Sequence, residues 1–141
     1  MATWGVGIFD SELALDWVDE IIETDDAEDV PAKFESIFIY ALDTNYVEHE
    51  DCCAVTVSCG VIDMLLNNTK YPTQEQDIQE WVEDHKDLKI PSKLAHLGAD
   101  ALEIITSKKS ELNELWQKNE AEYATWRLKI DKLTQRLRAI K

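Results

Sequence analysis

The chain has 141 residues, of which 45% are hydrophobic and 9% aromatic, and its 29 acidic residues against 14 basic ones give a formal charge of −15. That apolar content excludes a disordered polyelectrolyte, and the length suits one domain with one core. The acidic balance excludes a generally basic nucleic-acid-binding surface, and no apolar run approaches the ~18 residues of a membrane-spanning helix.

The charge is unevenly placed. Residues 1–51 hold 15 acids and a single base, Lys33, which makes that third −14 (1 − 15) and leaves −1 (13 − 14) for the other 90 residues. A concentrated anionic field speeds the encounter of cationic partners and repels nucleic acid.

In chain order, residues 1–9 read as an extended arm. Gly5 and Gly7 alternate with apolar residues, and Trp4 and Phe9 supply aromatic anchors. The start lacks the basic and apolar regions of an export signal, so a cytoplasmic location with reduced thiols is expected. Asp10 or Ser11 is a helix cap, and the helix to about Glu23 places Leu13, Ala14, Trp17, Val18 and Ile21 on one face and Glu12, Asp16, Asp19, Glu20 and Glu23 on the other. Residues 24–29 read as an acidic loop, and Pro31 opens a helix to about Leu42 with Phe34, Ile37, Phe38, Ala41 and Leu42 inward.

A third helix is expected from about Glu50 to Leu66. Its first half is made of small residues, Cys52, Cys53, Ala54, Ser58, Cys59 and Gly60, which allow a neighbour to approach closely. The valines leave a strand open there, while the length favours helix. Thr73 with Gln76 forms a capping box before a helix carrying Ile78, Trp81 and Val82. A further helix runs from Lys93 to about Thr106, and Ser110 caps the last segment.

That last segment repeats apolar positions 4-3-4-3: Leu112, Trp116, Asn119, Tyr123, Trp126, Ile130, Leu133, Leu137 and Ile140. A 3.5-residue period over such a length is a coiled-coil seam. Two readings follow. One is a continuous helix of about 45 Å whose basic end projects or joins a second copy as a homodimer. The other is a kink near Asn119 with both halves on one core. The expected architecture is an all-α bundle of about six helices in one domain, with an arm at 1–9, a helical core at 10–109 and the long C-terminal helix at 110–141.

Candidate chemistry is sparse. His49 with Cys52, Cys53 and Cys59 lacks a second ligand pair, so the cysteines read as small packing residues and no metal is expected. The acidic run 25–29 lacks the ligand spacing and glycine of a calcium loop. Gly5 and Gly7 lack the third glycine of a nucleotide fingerprint, so no cofactor is expected. No Ser, Cys or His stands in a nucleophile setting, and no enzyme is expected.

Trp4-Gly5-x-Gly7-x-Phe9-Asp10, then Ala14-x-Asp16-Trp17, resembles the opening of a widespread bacterial family of domains of unknown function. Ser110-Glu111-Leu112 with Leu115-Trp116, and Trp126 further on, resembles the same family's C-terminal elements. The resemblance spans nearly the full length and implies an all-helical fold without supplying a reaction. Its middle helix is usually alanine-rich where Cys52, Cys53 and Cys59 stand here, and its last helix is shorter and less basic. The tryptophans read as core: Trp4, Trp17 and Trp116 are expected to cluster and pin the arm to the last helix, with Phe9 and Trp126 also inside.

The functional expectation rests on charge. A non-enzymatic acidic protein that neutralises a basic protein partner, such as an immunity protein against a bacterial toxin, would present Asp16, Asp19, Glu20, Glu23, Asp25, Asp26, Glu28 and Asp29. The alternatives are a DNA mimic that inhibits a nucleic-acid-binding protein and a structural protein self-associating through its last helix. None of these readings involves direct nucleic-acid binding or a membrane.

Overall fold

The computed structural model describes residues 7–9, 11–71 and 76–141, and every regular element among them is helical. Helix α1 spans Glu12–Ile22, capped by Ser11, whose Oγ accepts the Ala14 N–H at 3.1 Å. The acidic stretch expected as plain loop holds a 3-10 turn, Ala27–Asp29, begun where the Asp26 carboxylate accepts the Glu28 N–H. Helix α2 (Val30–Asp43) follows with Pro31 in its first turn, and Val30, Phe34, Phe38 and Ala41 are buried. These bounds lie within a residue or so of those read from periodicity.

Helix α3 (His49–Asn67) settles the strand-or-helix question at the valines. Every residue from Cys52 to Leu65 is buried. Helices α4 (Gln76–Asp84) and α5 (Ser92–Ile105) come next. The capping Thr73 lies outside the described residues, as does Trp4. The C-terminal segment is two helices, α6 (Glu111–Gln117) and α7 (Glu120–Arg138), so the kink reading holds and the continuous 30-residue helix does not. Asn119 causes the break. Its side chain accepts the Glu122 N–H at 3.2 Å and starts a new helix.

Helix α3 is the axis of the bundle. Helices α1, α2, α5, α6 and α7 all pack on it, α5 lies between α2 and α7, and α6 folds back on α7. Two loops are stitched where Val47 pairs with the segment before α6: its N–H donates to the Lys109 carbonyl and its carbonyl accepts from Glu111 N–H. The Glu111 carboxylate also accepts the His49 N–H at 2.8 Å, placing a negative charge on the N-terminus of α3.

The 3.5-residue seam is occupied within one chain. Leu112, Trp116, Trp126, Ile130, Leu133 and Leu137 are buried in the common core, with Tyr123 and Ile140 packed against it. The apolar seam that suggested a homodimer is therefore already covered by the chain's own helices.

The expected cluster of Trp17 with Trp116 is not formed. The turn at 118–119 brings α6 against α7, so Trp116 meets Trp126, with ring centroids 6.0 Å apart and planes 15° apart. Trp17 instead serves the α1–α3 contact, donating from Nε1 to Ser58 Oγ at 2.8 Å. Phe9 is buried and packs edge-on to Tyr71, with centroids 5.5 Å apart.

Small residues set the helix spacing. A Cβ built on Gly98 of α5 would lie 3.0 Å from Cys59 Sγ and 3.0 Å from the Phe38 ring. Gly98→Ala would gain about 1 kcal/mol of helix propensity in an open helix, but here overpacking should outweigh it by roughly 1 kcal/mol or more. A lowered urea midpoint is expected; a raised one would mean that the Phe38 ring yields without strain.

Candidate functional site

The eight carboxylates singled out from sequence are all exposed. Asp16, Asp19, Glu20 and Glu23 form the outer stripe of α1, spaced three and four residues apart, so their side chains are neighbours. Asp25, Asp26, Glu28 and Asp29 continue this stripe around the 3-10 turn to the start of α2. Among the described residues none of the eight forms an ion pair.

Beside them runs an apolar strip that periodicity alone did not single out. Half-buried Trp17 lines a shallow groove with Ala32, Lys33, Ser36 and Ile37 of α2. The same helix then exposes Ile39 (44%) and Tyr40 (45%), with Tyr46 (39%) beyond it. Glu35 and Asp43 are exposed on the same helix. Large apolar side chains with an acidic surround are the layout of an interface, in which a few apolar anchors carry affinity and the rim carries charge.

The cysteines are packing groups. Cys52 Sγ donates to the Val47 carbonyl and lies 3.3 Å from Ser110 Oγ, Cys53 faces Ser11, and Cys59 donates to the Gly98 carbonyl. Burial raises all three thiols, Cys53 to about 12, so none is a ready thiolate. Among the described residues no three His, Cys, Asp or Glu side chains gather as metal ligands.

The most constrained polar group was not legible at all. Asp63 sits in α3 with a fully buried side chain. Its Oδ1 accepts Asn67 Nδ2 at 2.8 Å, and its Oδ2 accepts Tyr71 OH at 2.6 Å and Arg136 Nε at 2.9 Å. Arg136 Nη2 donates in turn to the Tyr71 oxygen at 3.1 Å. Burial and the Asp63 carboxylate push the Tyr71 phenol far above its ordinary range, which leaves it a neutral donor. This constellation holds α3, the loop after it and α7 together, with no nucleophile or base left free in it. The partners lie 8 and 73 residues from Asp63, and the only sequence signal was an aspartate inside an otherwise uncharged helical stretch.

His49 is the remaining polar oddity. Its Nε2 is buried without a hydrogen-bond partner, and burial lowers its pKa from the usual 6.5.

The family described as a domain of unknown function (DUF4259) matches residues 2–129, and the chain belongs to it. No curated protein and no solved structure matches. Arg136, which neutralises Asp63, lies beyond the matched stretch.

Two outcomes are expected. Arg136→Met leaves Asp63 buried without its cation; since the Arg136 side chain is 36% exposed, the loss should be about 2–3 kcal/mol rather than the full cost of breaking a buried pair. Adding Asp63→Leu should recover part of it, and chemical denaturation of the double variant that shows no recovery would deny the coupling. For His49 the folded pKa lies below the unfolded value of 6.5, so its contribution is complete above 6.5 and lost as pH falls toward the depressed value. The urea midpoint between pH 7.5 and 5.5 should fall more in the wild type than in His49→Asn; parallel curves would exclude this role.

Proposed function

We propose that this protein is a non-enzymatic, cytoplasmic binding protein that captures and neutralises a basic protein partner, most concretely as an immunity protein against a bacterial toxin. The observation that supports this reading is the exposure of eight unpaired carboxylates from Asp16 to Asp29 next to the groove at Trp17 and the exposed Ile39 and Tyr40.

The energetic argument is one of waste. Like charges crowded on one surface repel each other and reduce folding stability. Fourteen basic residues were available in the chain, yet only Lys33 stands in the acidic third. Rigid helices display the charges, so little is lost in ordering them when a partner arrives. Steering by such a surface raises association rates, and Trp17, Ile39 and Tyr40 would then supply desolvated contact. The buried, protonated thiols and the closed Asp63 constellation agree with a binding role rather than catalysis.

The test co-expresses the full chain with the products of the neighbouring genes and takes forward a basic, toxic one; the lack of any such product would count against the reading. The expected outcome is relief of its toxicity and a complex whose association rate falls at least tenfold between about 50 and 500 mM salt, with dissociation altered far less. Asp16→Asn, Asp19→Asn, Glu20→Gln and Glu23→Gln combined should reproduce the low association rate at low salt. Equal salt effects on both rates would deny steering, and full affinity in the fourfold variant would remove this face from the interface.

A further inference from the structure

Helix α7 turns one stripe, from Thr125 through Leu128, Lys129, Lys132 and Leu133 to Arg136, toward a cavity of about 330 Å3. The opposite wall is Ile8, Phe9, Lys70 and Tyr71. The floor is apolar and rigid: Phe9 and Leu133 are buried, and the Phe9–Tyr71 ring pair closes one side. Leu128, 54% exposed, stands at the mouth.

The described lining of this cavity carries four cationic side chains, Lys70, Lys129, Lys132 and Arg136, and no carboxylate. The arginines of α7 are all engaged: Arg127 with Asp131, Arg136 with Asp63, and Arg138 with Asp100 and Glu103. Lys70, Lys129 and Lys132 have no carboxylate partner among the described residues. Acids outnumber bases 29 to 14 in this chain, so a lining with three lysines and no carboxylate among its described residues runs against composition. Arg136 adds a guanidinium whose position is fixed and whose charge is balanced by Asp63. Nε and Nη2 are held by Asp63 and Tyr71, while Nη1 takes part in neither contact.

We propose that this cavity binds a small amphipathic anion, a medium-chain acyl carboxylate. A volume of about 330 Å3 stands at the lower end of small-ligand pockets, which suits a ligand of roughly a dozen non-hydrogen atoms. The alkyl chain lies on Phe9, Leu128 and Leu133, and the carboxylate meets the ammonium groups of Lys129 and Lys132. A few polar groups at the edge of a preformed apolar pocket fix orientation in this way. The chain's net charge does not oppose the ligand, because ionic screening over ~8 Å leaves the local cations dominant.

The test is titration of the full chain with decanoate below its micellar concentration, followed by calorimetry and by amide chemical shifts. Saturable binding with Kd below about 1 mM is expected, with the largest shifts at Tyr71, Leu128 and Lys129. Decanol, which lacks the charge, and acetate, which lacks the chain, should each bind at least tenfold more weakly. Lys129→Gln with Lys132→Gln should weaken decanoate at least tenfold while leaving the helical circular dichroism intact, since both lysines are exposed. Thr125→Trp, which fills the mouth from an exposed position, should do the same by bulk. No saturable binding, decanol binding as tightly as decanoate, or unchanged affinity in both variants would each overturn the proposal.

Discussion

A helix buried on every side governs the rest of the structure. From Cys52 to Leu65 every residue of α3 is buried, so other helices must enclose it all round. Small residues on α3 and α5 let those neighbours come close, and the carboxylate of Asp63 makes the enclosure specific. An unpaired buried charge is expensive, so Asp63 requires the guanidinium of Arg136 and the hydroxyl of Tyr71. Since Arg136 lies near the end of α7, the buried carboxylate fixes the last helix against the central one. Hydrophobic burial gathers the helices, and this ionic contact sets the register of α7 on α3.

The same constraint sorts the surface charges. Carboxylates on α3 beyond its first turn would be buried, so the acids collect on α1, the 3-10 turn and α2, whose outer faces are free. Arginines of α7 are consumed by Asp63, Asp100, Glu103 and Asp131. The lysines enter no ion pair among the described residues, and three of them, Lys70, Lys129 and Lys132, line the cavity beside α7. The uneven charge of the sequence thus reappears in the fold as an acidic stripe on α1, the 3-10 turn and the start of α2.

The helices were legible because their faces alternate with a 3.6-residue period, and α1, α2 and α5 fall within a residue or so of their expected bounds. The acidic face was legible for the same reason: residues opposite a buried stripe must face water. The break between α6 and α7 had a signal in Asn119 followed three residues later by Glu122, a helix-starting pair within the seam. The seam itself could not decide between one chain and two. A 3.5-residue repeat specifies an apolar edge, and any apolar partner satisfies it, here α3 and α5. The tryptophan cluster was misread because pairing depends on where the chain folds back, and that turn places Trp126, not Trp17, beside Trp116. The Asp63 contacts were beyond reach, since one aspartate does not name a partner 73 residues away.

The acidic face and the cationic cavity work at different scales. The acidic face presents its charges on convex helices with apolar side chains beside them, and only a macromolecule can cover that area. The cationic groups surround a concavity of about 330 Å3, which admits a small molecule and not a folded domain. Helices α1 and α7 share no substantial contact, while α3 packs against both. Screening removes direct charge coupling between surfaces separated by more than a Debye length. Both are tied to α3, and Ile8 and Phe9 of the cavity wall also stand just before α1; α3 is held by close packing and by Asp63 in one arrangement. A tightly packed core of this kind resists gradual deformation. The two proposed sites therefore share one rigid support.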